Sequence, residues 1–157
     1  NAFGERIDDV EAELEKNGRS RWVRKFRQEY DSALLYHDSV VSKTLQMTRD
    51  ARNDDYRAWM YLSDHGQEVG HSSNHAGHSP STASGYRIPT IIWRNDASAS
   101  LPPDVERRPF RADWAGWSIA RLLNIEWSES NTTKDALDIN YRWDTPVLPA
   151  QVLSFTD

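Results

Sequence analysis

The chain has 157 residues, 38% of them hydrophobic and 11% aromatic, enough to bury a core and too aromatic for a disordered tail. Its formal net charge is −5 and its basic residues are scattered, densest at Arg19, Arg21, Arg24, Lys25 and Arg27. A nucleic-acid binder would carry a continuous basic patch, so no nucleic-acid partner is expected. The absence of cysteine excludes disulfides and thiolate metal sites. No apolar run reaches about 18 residues, so no membrane span is expected in this chain, and no signal peptide is visible.

Residues 5–17 (ERIDDVEAELEKN) have Ile7, Val10 and Leu14 at helical spacing, with Gly18 as a stop. Residues 19–29 are basic and fit a second short helix or a connection. Residues 30–50 (YDSALLYHDSVVSKTLQMTRD) make the strongest helix. Asp31 or Ser32 is its expected cap, Leu34, Val41 and Leu45 form its apolar face with Leu35 beside them, and Asp38 is expected as a half-buried, paired acid.

YRAWMYL, residues 56–62, is short, apolar and bounded by polar turns, and predicts a buried strand. Residues 66–87 are a loop by composition. Residues 88–93 (IPTIIW) predict a second strand, with Pro89 at its start or edge because proline donates no ladder hydrogen bond. A polar connection over 95–109 leads to a helix over 110–125 (FRADWAGWSIARLLNI), with Asp113 as cap and Ala115, Ile119 and Leu122 on one face. A last strand is expected over 139–143.

Four of the five histidines, His65, His71, His75 and His78, fall within residues 61–80. Asp64 and His65 leave the strand together, and ligands of open α/β sheets gather at strand carboxyl ends. A carboxylate and an imidazole suit zinc or manganese, and Gly66 permits close backbone approach. A solvated histidine-rich loop is the bland alternative.

Taken in order, YDSALLYHDSVVSKTL, YLSDHGQEVG, the His-Gly loop, YRIPTIIW and FRADWAGWSIARLLNI resemble the C-terminal half of the phosphoethanolamine transferases, in the sulfatase branch of the alkaline phosphatase superfamily. The likeness covers most of residues 30–125; residues 1–20 and 126–157 match poorly. The resemblance implies an α/β fold, part of an alkaline-phosphatase/sulfatase-like sandwich with a mixed, mainly parallel sheet flanked by helices. Residues 1–157 would be a C-terminal piece of one catalytic domain, without a separate second domain and with 126–157 as a poorly matched tail.

The resemblance also implies roles. Asp64 and His65 fall on the family's metal-binding Asp-His, with zinc the expected ion and manganese or another divalent metal the alternative. His78, in GHSP, is closest to the histidine that contacts the transferred phosphate group, and His75 is the runner-up. Gln67 stands where the family has Glu, with Glu68 directly after it. His37 holds a variable position, and His37 and His71 receive no role.

The threonine nucleophile, its acidic partner and a further histidine belong to an N-terminal half, so the nucleophile is not expected in this chain. The piece alone would be inactive, and would expose apolar surface where the missing half docks. The whole enzyme would sit in the periplasm on an inner-membrane anchor. It would move phosphoethanolamine from phosphatidylethanolamine to lipid A or another glycan acceptor through a phosphoenzyme. A sulfatase or phosphodiesterase on the same scaffold, and a non-catalytic metal- or glycan-binding module, remain open; a formylglycine precursor upstream would mark the sulfatase, and threonine the transferase.

Overall fold

The first helix, α1, spans Asp8–Lys16 and buries Leu14. It stops where Gly18 takes the left-handed φ of 69° and the Arg19 N–H bonds back to the Leu14 carbonyl at 2.9 Å. Ile7 of the expected apolar face lies outside the described residues. This computed structural model describes residues 8–52, 55–96, 101–126, 128 and 131–148.

Helix α2 spans Arg21–Asp50 without a break, where the sequence suggests a new start near residue 31. Ser20, not Asp31 or Ser32, precedes its first turn, and its hydroxyl accepts the Val23 N–H at 3.3 Å. The two expected caps are used inside the helix. Asp31 takes the Arg27 guanidinium four residues back, at 2.8 Å, and the Ser32 hydroxyl donates to the Gln28 carbonyl at 2.9 Å. Asp38 is exposed rather than half-buried, and Leu34 of the expected face is 44% exposed. No helix among the described residues is long and apolar enough to cross a membrane.

Strand β1 (Ala58–Leu62) pairs antiparallel with β4 (Thr90–Arg94), Trp59 opposite Trp93. Pro89 stands one residue before β4, where its missing donor breaks no ladder bond. The span between them, read by composition as loop, contains a small hairpin of β2 (Glu68–Val69) and β3 (Ala76–Gly77), then a 3-10 turn over Ala83–Gly85. The class is therefore mixed α/β. Both ladders among the described residues are antiparallel. A parallel partner would need a crossover, usually a helix, between β1 and β4, and the chain places no α-helix there.

Contacts divide the chain into two compact units: Asn1–Thr44, Ser63–Ile88 and Leu148–Asp157 form one, and Leu45–Leu62 with Pro89–Val147 the other. In the first unit the β2–β3 hairpin packs on the corner between α1 and α2. Val69 and Val23 are fully buried there beside Leu14. Arg19 Nε donates to the Gly70 carbonyl at 2.8 Å, and the Ser20 N–H to Asn74 Oδ1 at 2.7 Å. Gly70, at φ 86°, leaves no room for a side chain: a Cβ would come within 2.9 Å of both Leu14 and Val23.

In the second unit Arg57 donates to the carbonyls of Thr48, Arg49 and Ala51, closing the C-terminus of α2 with a cation. The helix expected over 110–125 is a 3-10 turn, Ala112–Trp114, followed by α3, Ala115–Leu122. Asp113 does not cap it; Arg111 holds that carboxylate at 2.7 Å. Ala115, Ser118, Ala120 and Leu122 are buried, whereas Ile119 is 41% exposed. The strand expected over 139–143 is absent: the Asn140 N–H goes to a side chain, and those of Tyr141 and Arg142 go to the carbonyls of Asp138 and Thr133, in no ladder. Asp135 Oδ1 accepts the Leu137 N–H at 3.0 Å, and Asp138 Oδ1 the Asn140 N–H at 2.8 Å. Several large apolar residues stay exposed, among them Met47, Leu123 and Ile139.

Candidate metal centre

The Asp-His-Gly turn follows β1 directly, and its shape is set by backbone approach. The Gly66 N–H donates to the Gly85 carbonyl at 2.9 Å. A Cβ on Gly66 would lie 2.0 Å from the Ser84 carbonyl oxygen and 2.6 Å from that of Arg87. Glycine is required here by space, not by an unusual φ.

This contact orients the two preceding side chains. The Asp64 carboxylate accepts the His65 N–H through Oδ1 at 2.9 Å. His65 Nδ1 lies 2.8 Å from the Gly66 carbonyl. A carbonyl only accepts, so Nδ1 carries a proton, and in the neutral ring Nε2 presents its lone pair. Asp64 Oδ2 stands 3.6 Å from that Nε2. Two lone-pair donors facing each other at this distance suit a shared cation: ligands about 2.0–2.1 Å from a tetrahedral zinc stand roughly 3.3 Å apart. The carbonyl that fixes the tautomer is the outer-shell partner a metal-binding histidine needs.

His78 joins the pair. Its ring lies against His65, centroids 4.4 Å apart and tilted by 47°. His75 precedes β3, with its ring near Gly77; no hydrogen bond or ring contact joins it to Asp64 or His65 among the described residues. Of the two phosphate-contact candidates, only His78 touches the Asp-His turn. Among the described residues no group of three or more His, Asp or Glu is placed to hold a metal ion. Asp64 and His65 thus fit a divalent cation by donor chemistry and orientation, and would account for two of the three ligands that a catalytic zinc ordinarily takes from protein.

His71 lies elsewhere in the unit, its Nδ1 3.4 Å from Arg27 Nη1. Partial burial and the neighbouring Arg27 guanidinium hold its pKa below the ordinary histidine value, with Glu68 and Asp31 opposing. Lowering means that the folded chain holds the proton less tightly than the unfolded chain, so stability falls as pH drops through the unfolded value of about 6.5. His71→Gln should flatten the decline in melting temperature between pH 7 and 5.5, as read by thermal scans in a common buffer series. An unchanged slope would assign that decline to another group.

A residue the sequence leaves unassigned holds this loop together. Glu68 is fully buried. Its carboxylate accepts the Ser72 N–H at 3.1 Å, the Ser72 hydroxyl at 2.7 Å and the Ser84 hydroxyl at 2.6 Å. Burial raises its pKa, and the hydrogen bonds from Ser84 and then Ser72 outweigh it, so the group stays ionised below the usual carboxylate range. The neighbouring Gln67 Oε1 is buried without a hydrogen-bond partner. The sequence signal for Glu68 is slight: an acid beside Val69, followed by a serine-rich loop able to donate to it.

Glu68→Ala removes the acceptor for three donors and should cost about 3 kcal/mol, whereas Glu68→Gln, which keeps shape and one acceptor, should cost about 1 kcal/mol. Urea unfolding of both variants checks the ranking.

The serine and threonine hydroxyls of the loop are engaged locally, Ser79 with Ser81 at 3.3 Å and Thr82 with Ser84 at 3.0 Å. His37 is exposed on α2.

The sulfatase family matches residues 3–115, and the chain belongs to it. The match takes in residues 3–29, which the likeness read from the sequence largely left out, and stops at the first residue of α3. No curated protein and no solved structure matches the chain.

Proposed function

We propose that the chain is the C-terminal part of a metal-dependent phosphoethanolamine transferase, working on phosphatidylethanolamine and a lipid A or other glycan acceptor. Supporting this reading is the His65 tautomer, with Nδ1–H spent on the Gly66 carbonyl and Nε2 facing Asp64 Oδ2. Asp64 and His65 would be the ligands this chain supplies, with zinc the favoured ion and manganese an alternative. When bound, such a cation polarises a phosphoryl oxygen and lowers the pKa of an attached hydroxyl.

The chain's own residues do the rest of their work by position. The Asp64 carboxylate is fixed at Oδ1 by the His65 N–H. The His78 ring, held against His65, would donate a hydrogen bond to a phosphate oxygen as charge grows there. His75 stands as a second donor further along the loop. The nucleophile and remaining ligands would come from an N-terminal half of the same protein, placed in the periplasm on a membrane anchor.

The test is a product assay on the full-length protein with fluorescent phosphatidylethanolamine and a lipid A acceptor. Formation of diacylglycerol with a phosphoethanolamine-bearing acceptor, lost in Asp64→Ala, supports the reading. Hydrolysis of an aryl sulfate without transfer would replace it with the sulfatase reading.

A further inference from the structure

We propose that the second unit carries a saccharide-binding cleft at the C-terminal end of α3. The cleft has a volume of about 610 Å³, and its lining includes Trp117, Arg121, Asn124, Glu126, Asn131 and Asp135. It lies beyond residue 115, where the family match ends, so the family does not assign it.

The charge of the lining excludes one ligand class. Arg121 gives its Nε to Asp135 and its Nη2 to Asp138, both buried. Its cation is already matched by two carboxylates, and Glu126 adds a third negative group. A phosphate or carboxylate ligand would meet a net negative surface.

The groups that remain are suited to a neutral or amino sugar. An indole ring offers an apolar face for the C–H side of a pyranose, and amides and a carboxylate pair with its hydroxyls. Asn131 Oδ1 accepts from the Thr133 N–H at 3.0 Å and hydroxyl at 2.7 Å, which orients the amide and leaves its NH2 as a donor. Asn124, also in the lining, takes a left-handed conformation, φ 53°. A few placed polar groups around one aromatic platform is the usual build of a small-ligand site. This cleft does not depend on the transfer reading, since it concerns binding rather than chemistry.

The test is an NMR titration of the intact chain with N-acetylglucosamine, glucosamine and maltotriose, and with inorganic phosphate as the charged probe. Saturable millimolar binding of at least one sugar is expected, shifting the Trp117 indole and the Asn124 and Asn131 side-chain amides. Trp117→Ala and Asn124→Gly should each weaken it at least about tenfold. Asn124→Gly deletes the amide while keeping the left-handed turn, so its melting temperature should hold and its loss of binding cannot be attributed to unfolding. The absence of saturable binding by all three sugars would overturn the proposal. So would binding that neither variant weakens, or phosphate occupying the cleft in preference.

Discussion

Gly66→Ala is expected to unfold the first unit or destabilise it by about 3 kcal/mol or more, the upper range for forcing an extra carbon into a packed site. The added Cβ would sit 2.0 Å from a backbone carbonyl oxygen of Ser84, with Arg87 O at 2.6 Å behind it. Neither opposing atom is the end of a flexible side chain, and Gly85, whose carbonyl takes the Gly66 N–H, has no spare room of its own: a Cβ there would lie 1.9 Å from the Ser79 carbonyl oxygen. The turn therefore has no cheap way to open.

Two other glycines isolate the cause. Gly18 has open space but a φ of 69°, so Gly18→Ala should cost about 1 kcal/mol through backbone strain alone. Gly116 has open space and lies in α3, so Gly116→Ala should stabilise by roughly 0.5–1 kcal/mol through helix propensity. Urea midpoints for the three variants give the order directly. A Gly66→Ala midpoint near that of the parent chain would mean that the Asp-His turn is not packed as described.

The second large effect is at Arg121. Its guanidinium bonds Asp135 and Asp138 at once. Ser118 Oγ and the Leu137 N–H complete the shell of Asp135, at 3.0 Å each. Arg121→Met leaves two buried carboxylates without a cation. Breaking such a pair from one side costs about 3–5 kcal/mol when both partners are buried, and because Arg121 is itself 41% exposed solvent screening brings the expected loss to roughly 2–3 kcal/mol. Arg121→Lys should fall between, since an ammonium keeps the charge but cannot span both carboxylates with a fork.

Urea unfolding of the two variants checks this order. Equal losses in Arg121→Met and Arg121→Lys would place the cost in the guanidinium fork rather than in the charge it carries.

The candidate site was readable in the sequence because its chemistry is carried by adjacent residues. Asp64, His65 and Gly66 follow an apolar run that forms a strand as expected, though half-buried rather than buried, and the turn needs only local geometry to orient the pair. The order of the segments around them carried the family. Glu68 was opaque because its donors come from Ser72 and from Ser84, sixteen residues away, a convergence that no spacing rule supplies. The unbroken α2 was hidden for a related reason: Asp31 and Ser32 suit a helix start equally well, and the Arg27 pairing that absorbs Asp31 is a choice between two local uses. Residues 139–143 show alternation that suits a strand, yet Asp135 and Asp138 offer the backbone a competing set of acceptors.

The measurement that bears most directly on the Asp64–His65 pair is zinc calorimetry on this chain and on its Asp64→Ala and His65→Ala variants. One weak site of 1:1 stoichiometry, lost in both variants and retained in His71→Gln, is the expected result. A complete lack of zinc binding, or a site that neither substitution weakens, would contradict the assignment of these two residues as metal ligands.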